Sequence, residues 1–156
     1  MDDSLPTGYR LKKGTKSDRD FLVKYMELTY QELYPAQRDF CHLRTTVNQY
    51  FGDRTPLWLV ETAREIQWST VACLWMGNAV DQRSGNYYAH IFLIFVEPEH
   101  RHYGIGKALI QTAENWARAR GDRQIGIQVL VANHQALNLY QNAGFKTQSL
   151  SLIKPL

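Results

Sequence analysis

The sequence predicts a mixed α/β fold, with hairpins in the first half of the chain and crossover helices in the second. The apolar run AHIFLIFV at residues 89–96 is typical of a central strand covered on both faces. An amphipathic helical stretch follows it, and strand-like and helical segments then alternate to residue 156. A chain of 156 residues is long enough for a sizeable core, so residues 1–156 are expected to form a single domain.

Two helices and four strands are predicted for the first half, after a loose terminus at residues 1–7. The strands are β1 at residues 9–15, β2 at residues 56–63, β3 at residues 69–80 and β4 at residues 87–96. The helices are α1 at residues 16–34 and α2 at residues 40–51. Ser17 or Asp18 caps α1, Pro35 ends it, and the segment DQRSGN before β4 has hairpin-turn chemistry.

The second half is predicted to alternate between helix and strand. Its elements are α3 at residues 106–121, β5 at residues 123–131, α4 at residues 134–143 and one long strand, β6, at residues 145–156. Gly121 and Gly144 end the two helices. The inner stripe of α3 is expected to consist of Leu109, Ala113, Trp116 and Ala117.

Composition excludes several classes of function. The net charge of +3 comes from scattered basic residues, which does not indicate a nucleic-acid partner. The longest apolar run is about eight residues, far short of a membrane span, so no membrane partner is expected. The first ten residues are acidic and polar and do not resemble a signal peptide. Two cysteines, Cys41 and Cys73, are too few for a disulfide framework, which favours a reducing, cytoplasmic location.

The segment HRHYGIGKAL, at residues 100–109, lies where the central strand meets a helix. A helix N-terminus exposes unpaired N–H groups and partial positive charge, and Gly104 and Gly106 would let a phosphate approach the backbone. Arg101 would add a charged donor. The alternative is a tight turn whose glycines merely take positive φ angles.

Two familiar phosphate motifs do not match this segment. A dinucleotide fingerprint requires a third glycine where Leu109 stands. A P-loop requires a glycine at the position of Arg101 and Ser or Thr at the position of Ala108. Neither motif therefore explains this segment.

A third pattern fits. Residues 96–110, VEPEHRHYGIGKALI, resemble motif A of the GNAT superfamily of acyl-CoA-dependent N-acetyltransferases. That motif reads Arg/Gln-x-x-Gly-x-Gly/Ala and is met by Arg101, Gly104 and Gly106. Residues 129–145 resemble the family's motif B, which is met by Asn133, Ala136, Leu139, Tyr140, Gly144 and Phe145. The two motifs follow in the right order, each between a strand and a helix, and the resemblance covers roughly residues 8–156.

The resemblance implies a GNAT-like fold, a largely antiparallel mixed sheet whose splayed central strands, β4 and β5, are flanked by helices. It also implies acetyl-CoA as the acyl donor, with no metal. Backbone N–H groups of residues 102–107 would hold the pyrophosphate, residues 94–96 would pair with the pantetheine arm, and Asn133 would contact that arm. The residues implied in coenzyme binding are Ile94, Phe95, Val96, Arg101, His102, Tyr103, Gly104, Ile105, Gly106, Lys107, Asn133 and Tyr140.

Tyr140 is the residue that the resemblance points at the sulfur of the coenzyme. A tyrosine hydroxyl, with a reference pKa near 10, is a suitable proton donor to a departing thiolate. The alternative is a core aromatic, because Tyr140 lies four residues after Ala136 on one helix face.

The base is harder to assign. Many family members carry a Glu in β5 where this chain has Gln128, which cannot take a proton. Others place a Glu on β4 at the position of His90, and a histidine with a pKa near 6.5 is a suitable base. The alternative for His90 is a histidine packed beside Tyr88 and Phe92. The alternative for the base is water that relays the proton. Glu97 and Glu99 are interpreted as solvated loop charges.

The sequence therefore predicts acetyl transfer from acetyl-CoA to a primary amine of an unidentified small-molecule or protein acceptor, by direct attack in a ternary complex. The alternative is a non-catalytic acetyl-CoA-binding sensor or scaffold, which the missing β5 Glu favours and the presence of Tyr140 opposes. Aromatic residues of the α1–α2 region are expected mostly in the core, with a few at the acceptor groove. Because one strand after Phe145 leaves an open sheet edge, a homodimer is a further expectation.

Overall fold

A computed structural model describes residues 5–156 of the chain. Its sheet has five strands in the order β1-β2-β3-β4-β5. The strands are β1 (Tyr9–Lys13), β2 (Leu57–Arg64), β3 (Gln67–Val80), β4 (Tyr87–Val96) and β5 (Ile125–Ile127). The helices are α1 (Arg19–Leu33), α2 (His42–Tyr50), α3 (Ile105–Ala119) and α4 (His134–Asn142), with short 3-10 turns at Lys16–Asp18 and Pro98–His100.

The predicted fold class is confirmed. Strands β1 to β4 pair antiparallel, whereas β5 joins β4 in parallel. The β4–β5 ladder spans three residue pairs and ends at Ile91 and Ile127, so the last five residues of β4 have no β5 partner. The central strands therefore splay apart toward their carboxyl ends, as the resemblance implied.

The core lies on both faces of the sheet. One cluster packs α1 and α2 against the sheet, with fully buried Leu22, Tyr25, Val47, Leu59 and Cys73. The other packs α3 against the opposite face. In α3, the expected inner residues Leu109, Ala113 and Ala117 are buried, and Trp116 is partly buried beside Trp58. These layers cover the carboxyl half of β4 on both sides, which explains its apolar run there, whereas Phe92 remains 36% exposed.

Strand β4 carries a bulge at Phe92. Its neighbours Ile91 and Leu93 pair with consecutive residues of β3, so Phe92 is an extra residue in the ladder. The Phe92 ring packs edge-on against Trp75, with 5.1 Å between ring centroids, and occupies the space above Gly77. A Cβ atom at Gly77 would overlap that ring.

We expect Gly77→Ala to lower the free energy of unfolding by about 1 kcal/mol, because the added methyl group displaces the outer end of the Phe92 ring, which is 36% exposed and has room to move. In a Phe92→Ala background the same substitution should cost much less. Urea unfolding of the two single variants and the double variant measures this coupling. Gly52→Ala is a matched control, since a Cβ there meets no heavy atom within 4 Å. An equal cost of Gly77→Ala in both backgrounds would contradict the explanation.

The predicted β6 is wrong. Residues 145–156 form no strand, and Leu150, Leu152 and Ile153 are 74%, 90% and 90% exposed. The segment SLSLI has strand-like alternation, but β5 is three residues long and offers too short an edge for a stable ladder. The expected β5 over residues 123–131 is also too long. The observed strand is Ile125–Ile127, because the chain leaves the sheet after Ile127. The expected second subunit stays a prediction.

The described part of the chain begins with a packed residue. Leu5 is partly buried against the α3 cluster, and the Tyr9 N–H donates to the Pro6 carbonyl at 3.2 Å. Residues 1–4 of the expected loose terminus lie outside the described residues. Between residues 5 and 156, no helix combines the length and the apolar character that crossing a membrane requires.

Candidate active site

The turn between β4 and α3, here called the glycine loop (residues 101–107), presents unpaired backbone donors. Gly104 caps α3 with φ +87°, and His102 also has a positive φ of +67°. Within residues 5–156, no acceptor is found for the N–H groups of residues 104–107. The position of a Cβ on Gly104 is open space, so a ligand can approach the backbone there. This arrangement of N–H groups at a helix N-terminus suits an anion.

Arg101 holds the start of the glycine loop. Its Nε donates to the Val96 carbonyl at 2.8 Å, and a terminal nitrogen donates to Glu32 on α1 at 2.6 Å. The guanidinium also lies 5.4 Å above the centre of the Phe95 ring. Arg101 therefore links the loop to β4 and α1, and its contact with the coenzyme stays a prediction. No local sequence signal links Glu32 to Arg101, since 69 residues separate them.

The last residues of β4 line the gap that the splayed strands leave. The Glu97 N–H donates to the Val71 carbonyl on β3 at 2.8 Å. Because successive residues of a strand direct their N–H groups to opposite edges, the Val96 N–H faces the edge where β5 has left the sheet. Ile94, Phe95 and Val96 thus lie beyond the end of the β5 ladder. On this edge the Val96 carbonyl already accepts a hydrogen bond from Arg101 Nε, so the groups left for an extended ligand are those of Ile94 and the Val96 N–H.

Helix α4 packs directly against the glycine loop. A Cβ on Gly106 would come within 3.1 Å of Leu139 Cδ2, so the two helices approach closely at this point. Asn133 accepts a hydrogen bond from the Ala136 N–H at 3.2 Å and is therefore an N-cap. The cap occupies the side-chain oxygen and leaves the amide nitrogen of Asn133 without a partner among residues 5–156.

Tyr140, about two turns of α4 after Asn133, is 6% exposed and packs edge-on against Phe145 with 5.7 Å between ring centroids. Burial raises the pKa of its hydroxyl above the ordinary value of 10.0. In the described part of the chain, that hydroxyl has no hydrogen-bond partner. A buried aromatic ring with an uncommitted hydroxyl fits both the packing role and that of a proton donor.

His90 sits in the middle of the sheet, paired with Gly77 on β3 and Gly126 on β5. Its Nδ1 is buried and lacks a hydrogen-bond partner among residues 5–156. Burial lowers the pKa of the imidazole below the usual 6.5, so the ring is neutral at pH 7. The ring also lies 5.9 Å from that of Phe92, as the packing alternative requires. A neutral imidazole is able to accept a proton, and because Nδ1 is buried beside Gly126, the nitrogen available for this is Nε2.

The interpretation of Glu97 as a solvated charge is wrong. Its side chain is 18% exposed and accepts hydrogen bonds from the Tyr25 hydroxyl at 3.1 Å and Lys24 Nζ at 3.2 Å. Tyr25 is fully buried and needs an acceptor for its one hydroxyl proton, and the Glu97 carboxylate and the Thr70 carbonyl both lie 3.1 Å from that hydroxyl. Sequence alone gave no signal for this contact, which joins residues 72 positions apart. Glu99 is exposed, as expected.

Two clefts, of about 420 and 600 Å³, lie at the amino ends of β4 and β5, remote from the glycine loop. None of the predicted site residues lines either cleft.

Gln128, which follows the last residue of β5, is exposed. Among the aromatic residues of the α1–α2 region, Tyr25 and Phe40 are in the core, whereas Tyr34 and Tyr50 are exposed. The candidate site lies at the gap where the β4–β5 ladder ends.

Comparison with known proteins agrees with this geometry. The sequence model of the Acetyltransferase (GNAT) family matches residues 21–145. An uncharacterized N-acetyltransferase, MJ1207 of Methanocaldococcus jannaschii, is 27% identical over 91% of this chain, which spans 62% of that protein's length. An N-alpha-acetyltransferase of Sulfurisphaera tokodaii is 26% identical over 88% of this chain and 80% of its own. A GCN5-related N-acetyltransferase of Ralstonia eutropha has a similar fold, with a TM-score of 0.75, 20% identity and coverage of 96% of this chain and 99% of its own.

Proposed function

Because this chain belongs to the GNAT family of acetyltransferases, we propose that it transfers an acetyl group from acetyl-CoA to a primary amine, by direct attack in a ternary complex. One observation supports this proposal most strongly. Free N–H groups at the start of α3 lie next to the unpaired edge of β4, where the β4–β5 ladder ends. This combination suits a ligand with an anionic end and an extended, hydrogen-bonding arm.

In this proposal the coenzyme spans both features. The N–H groups of the glycine loop hold the pyrophosphate, with Lys107, exposed and positively charged, beside them. The pantetheine arm adds to the open edge of β4 at Ile94–Val96, and the amide nitrogen of Asn133 contacts it. The arm then leads the thioester toward Tyr140.

The reaction forms a C–N bond and breaks a C–S bond. The amine arrives protonated, and its first proton passes through His90 to the solvent, directly or through one water. The neutral nitrogen then attacks the thioester carbonyl, and His90 takes the second proton, which the nitrogen loses once the C–N bond has formed. The Val96 N–H, which faces the open edge, stabilises the oxyanion. Tyr140 donates its proton to the departing thiolate and is restored by the proton that leaves through His90. A lysine-like amine has a pKa of about 10.4, so a base is required for reaction at neutral pH.

Thiol release from acetyl-CoA, measured with a panel of acceptors and a control without acceptor, tests the proposal. The panel contains polyamines, amino acids, lysine peptides and peptides with a free N-terminus, the last because one relative is an N-alpha-acetyltransferase. Acceptor-dependent release with an N-acetylated product is the expected result. Acetyl-CoA that raises the melting temperature without any release would instead favour the sensor alternative.

The two free thiols, Cys41 and Cys73, favour the reducing cytoplasm as the place of this reaction.

A further inference from the structure

An ion pair between Glu32 and Arg101 joins helix α1 to the glycine loop. We infer that Glu32 is a positioning residue for acetyl-CoA, which sets the conformation of the loop through Arg101 and touches no ligand itself. This inference rests on the proposed function, because it concerns the same coenzyme site.

The contacts of Arg101 show how one side chain can fix the loop. Its backbone N–H donates to the Pro98 carbonyl, its Nε to the Val96 carbonyl, and a terminal nitrogen to Glu32. Arg101 directly precedes His102, whose positive φ is a conformation that non-glycine residues adopt only when their surroundings hold them there. The orientation of Arg101 therefore decides how the chain enters the row of free N–H groups.

Glu32 orients Arg101 rather than the helix. Helix α1 is already held to the same segment by Tyr25, whose buried hydroxyl bonds Glu97 and the Thr70 carbonyl. Since α1 has this second anchor, loss of the Glu32 contact leaves the helix in place and frees the guanidinium. The Arg101 side chain is 23% exposed and that of Glu32 is 46% exposed, so the pair lies at the surface of the site and not in the core.

If Arg101 is instead a direct donor to the phosphates, removal of Glu32 is expected to strengthen coenzyme binding and not to weaken it. Removal of Glu32 would then release the guanidinium and make the site more positive, and both effects would strengthen the binding of an anionic coenzyme. If Glu32 acts by positioning, its removal disorders the row of N–H donors and weakens binding. The two accounts therefore differ in the sign of one measured change.

Isothermal titration of coenzyme A into the wild-type protein, Glu32→Gln and Glu99→Gln makes this test. We expect Glu32→Gln to weaken binding by about three- to ten-fold. Glu99→Gln removes the same charge from an exposed position two residues from Arg101, and should change the affinity by less than about two-fold. In steady-state assays, Glu32→Gln should raise KM for acetyl-CoA and leave kcat nearly unchanged.

A double-variant cycle with Arg101→Gln, which removes the cation of the pair, separates positioning from a general effect on stability. If Glu32 acts through Arg101, Glu32→Gln has little further effect once Arg101→Gln is present. If Glu32→Gln is poorly folded, Glu32→Asp, which keeps the charge and shortens the reach, should show the same direction of change. Unchanged or tighter binding by a folded Glu32→Gln would overturn the inference. A wild-type protein that does not bind coenzyme A would instead overturn the proposed function, and this inference with it.

Discussion

Tyr140→Phe is expected to lower kcat by about 100-fold and to change the affinity for acetyl-CoA by less than about two-fold. The substitution removes one hydroxyl and keeps the ring that packs against Phe145. Because the hydroxyl has no partner within residues 5–156, its loss breaks no hydrogen bond of the free protein. The fold should therefore survive, while the thiolate departs without a proton donor.

The pH dependence gives a second check on Tyr140. Burial raises the pKa of its hydroxyl above 10.0, so the acid stays protonated throughout the range in which the amine loses its proton. Deprotonation of Tyr140 should therefore not lower the wild-type kcat between pH 7 and pH 10. Any decline of kcat over this range should also be present in Tyr140→Phe. Tyr87→Phe is the matched control, since Tyr87 is 70% exposed at the other end of β4. An unchanged kcat in Tyr140→Phe, measured by thiol release with a responsive acceptor, would remove Tyr140 from the acid role.

Local patterns predicted those elements whose limits are set by nearby residues. The predicted β4 has the same bounds as the observed strand, Tyr87–Val96, because a polar turn precedes its apolar run and Pro98 follows it. The tail shows the limit of this reasoning. Alternating leucines in residues 145–156 fit a strand, but a strand also needs an edge, and the length of β5 depends on how far it follows β4.

The candidate site likewise has parts that local sequence patterns predicted and parts that they did not. Short motifs with fixed spacing located the glycine loop and α4, and their packing through Gly106 and Leu139 brings the two together. Contacts between distant segments were not predictable, because neither side carries a local signal for its partner. Glu97 with Tyr25 and Arg101 with Glu32 are of this kind, and both join α1 to the end of β4. The bulge at Phe92 likewise depends on the register between two strands.

His90→Gln is expected to lower kcat/KM by about 100-fold at pH 7, with the loss becoming smaller toward pH 10. Glutamine keeps a polar side chain in the strand but cannot take a proton from the amine. At high pH a lysine-like acceptor with a pKa of about 10.4 is already largely neutral, so the base is needed less. The measurement is thiol release across this pH range with a responsive acceptor. His134→Gln, at an exposed position on α4, serves as the control.

Protein stability tests the electrostatics of His90 independently of catalysis. Burial lowers the pKa of His90 in the folded protein below the value of about 6.5 expected for the unfolded chain. The unfolded state therefore binds more protons below pH 6.5, and the wild-type protein should lose stability as the pH falls from 6.5 toward the lower, folded pKa. His90→Gln lacks this contribution, so its melting temperature should fall less over the same interval. If His90→Gln loses the same fraction of its activity at every pH, His90 is not the base. If the melting temperatures of wild type and His90→Gln change equally with pH, burial does not hold His90 neutral.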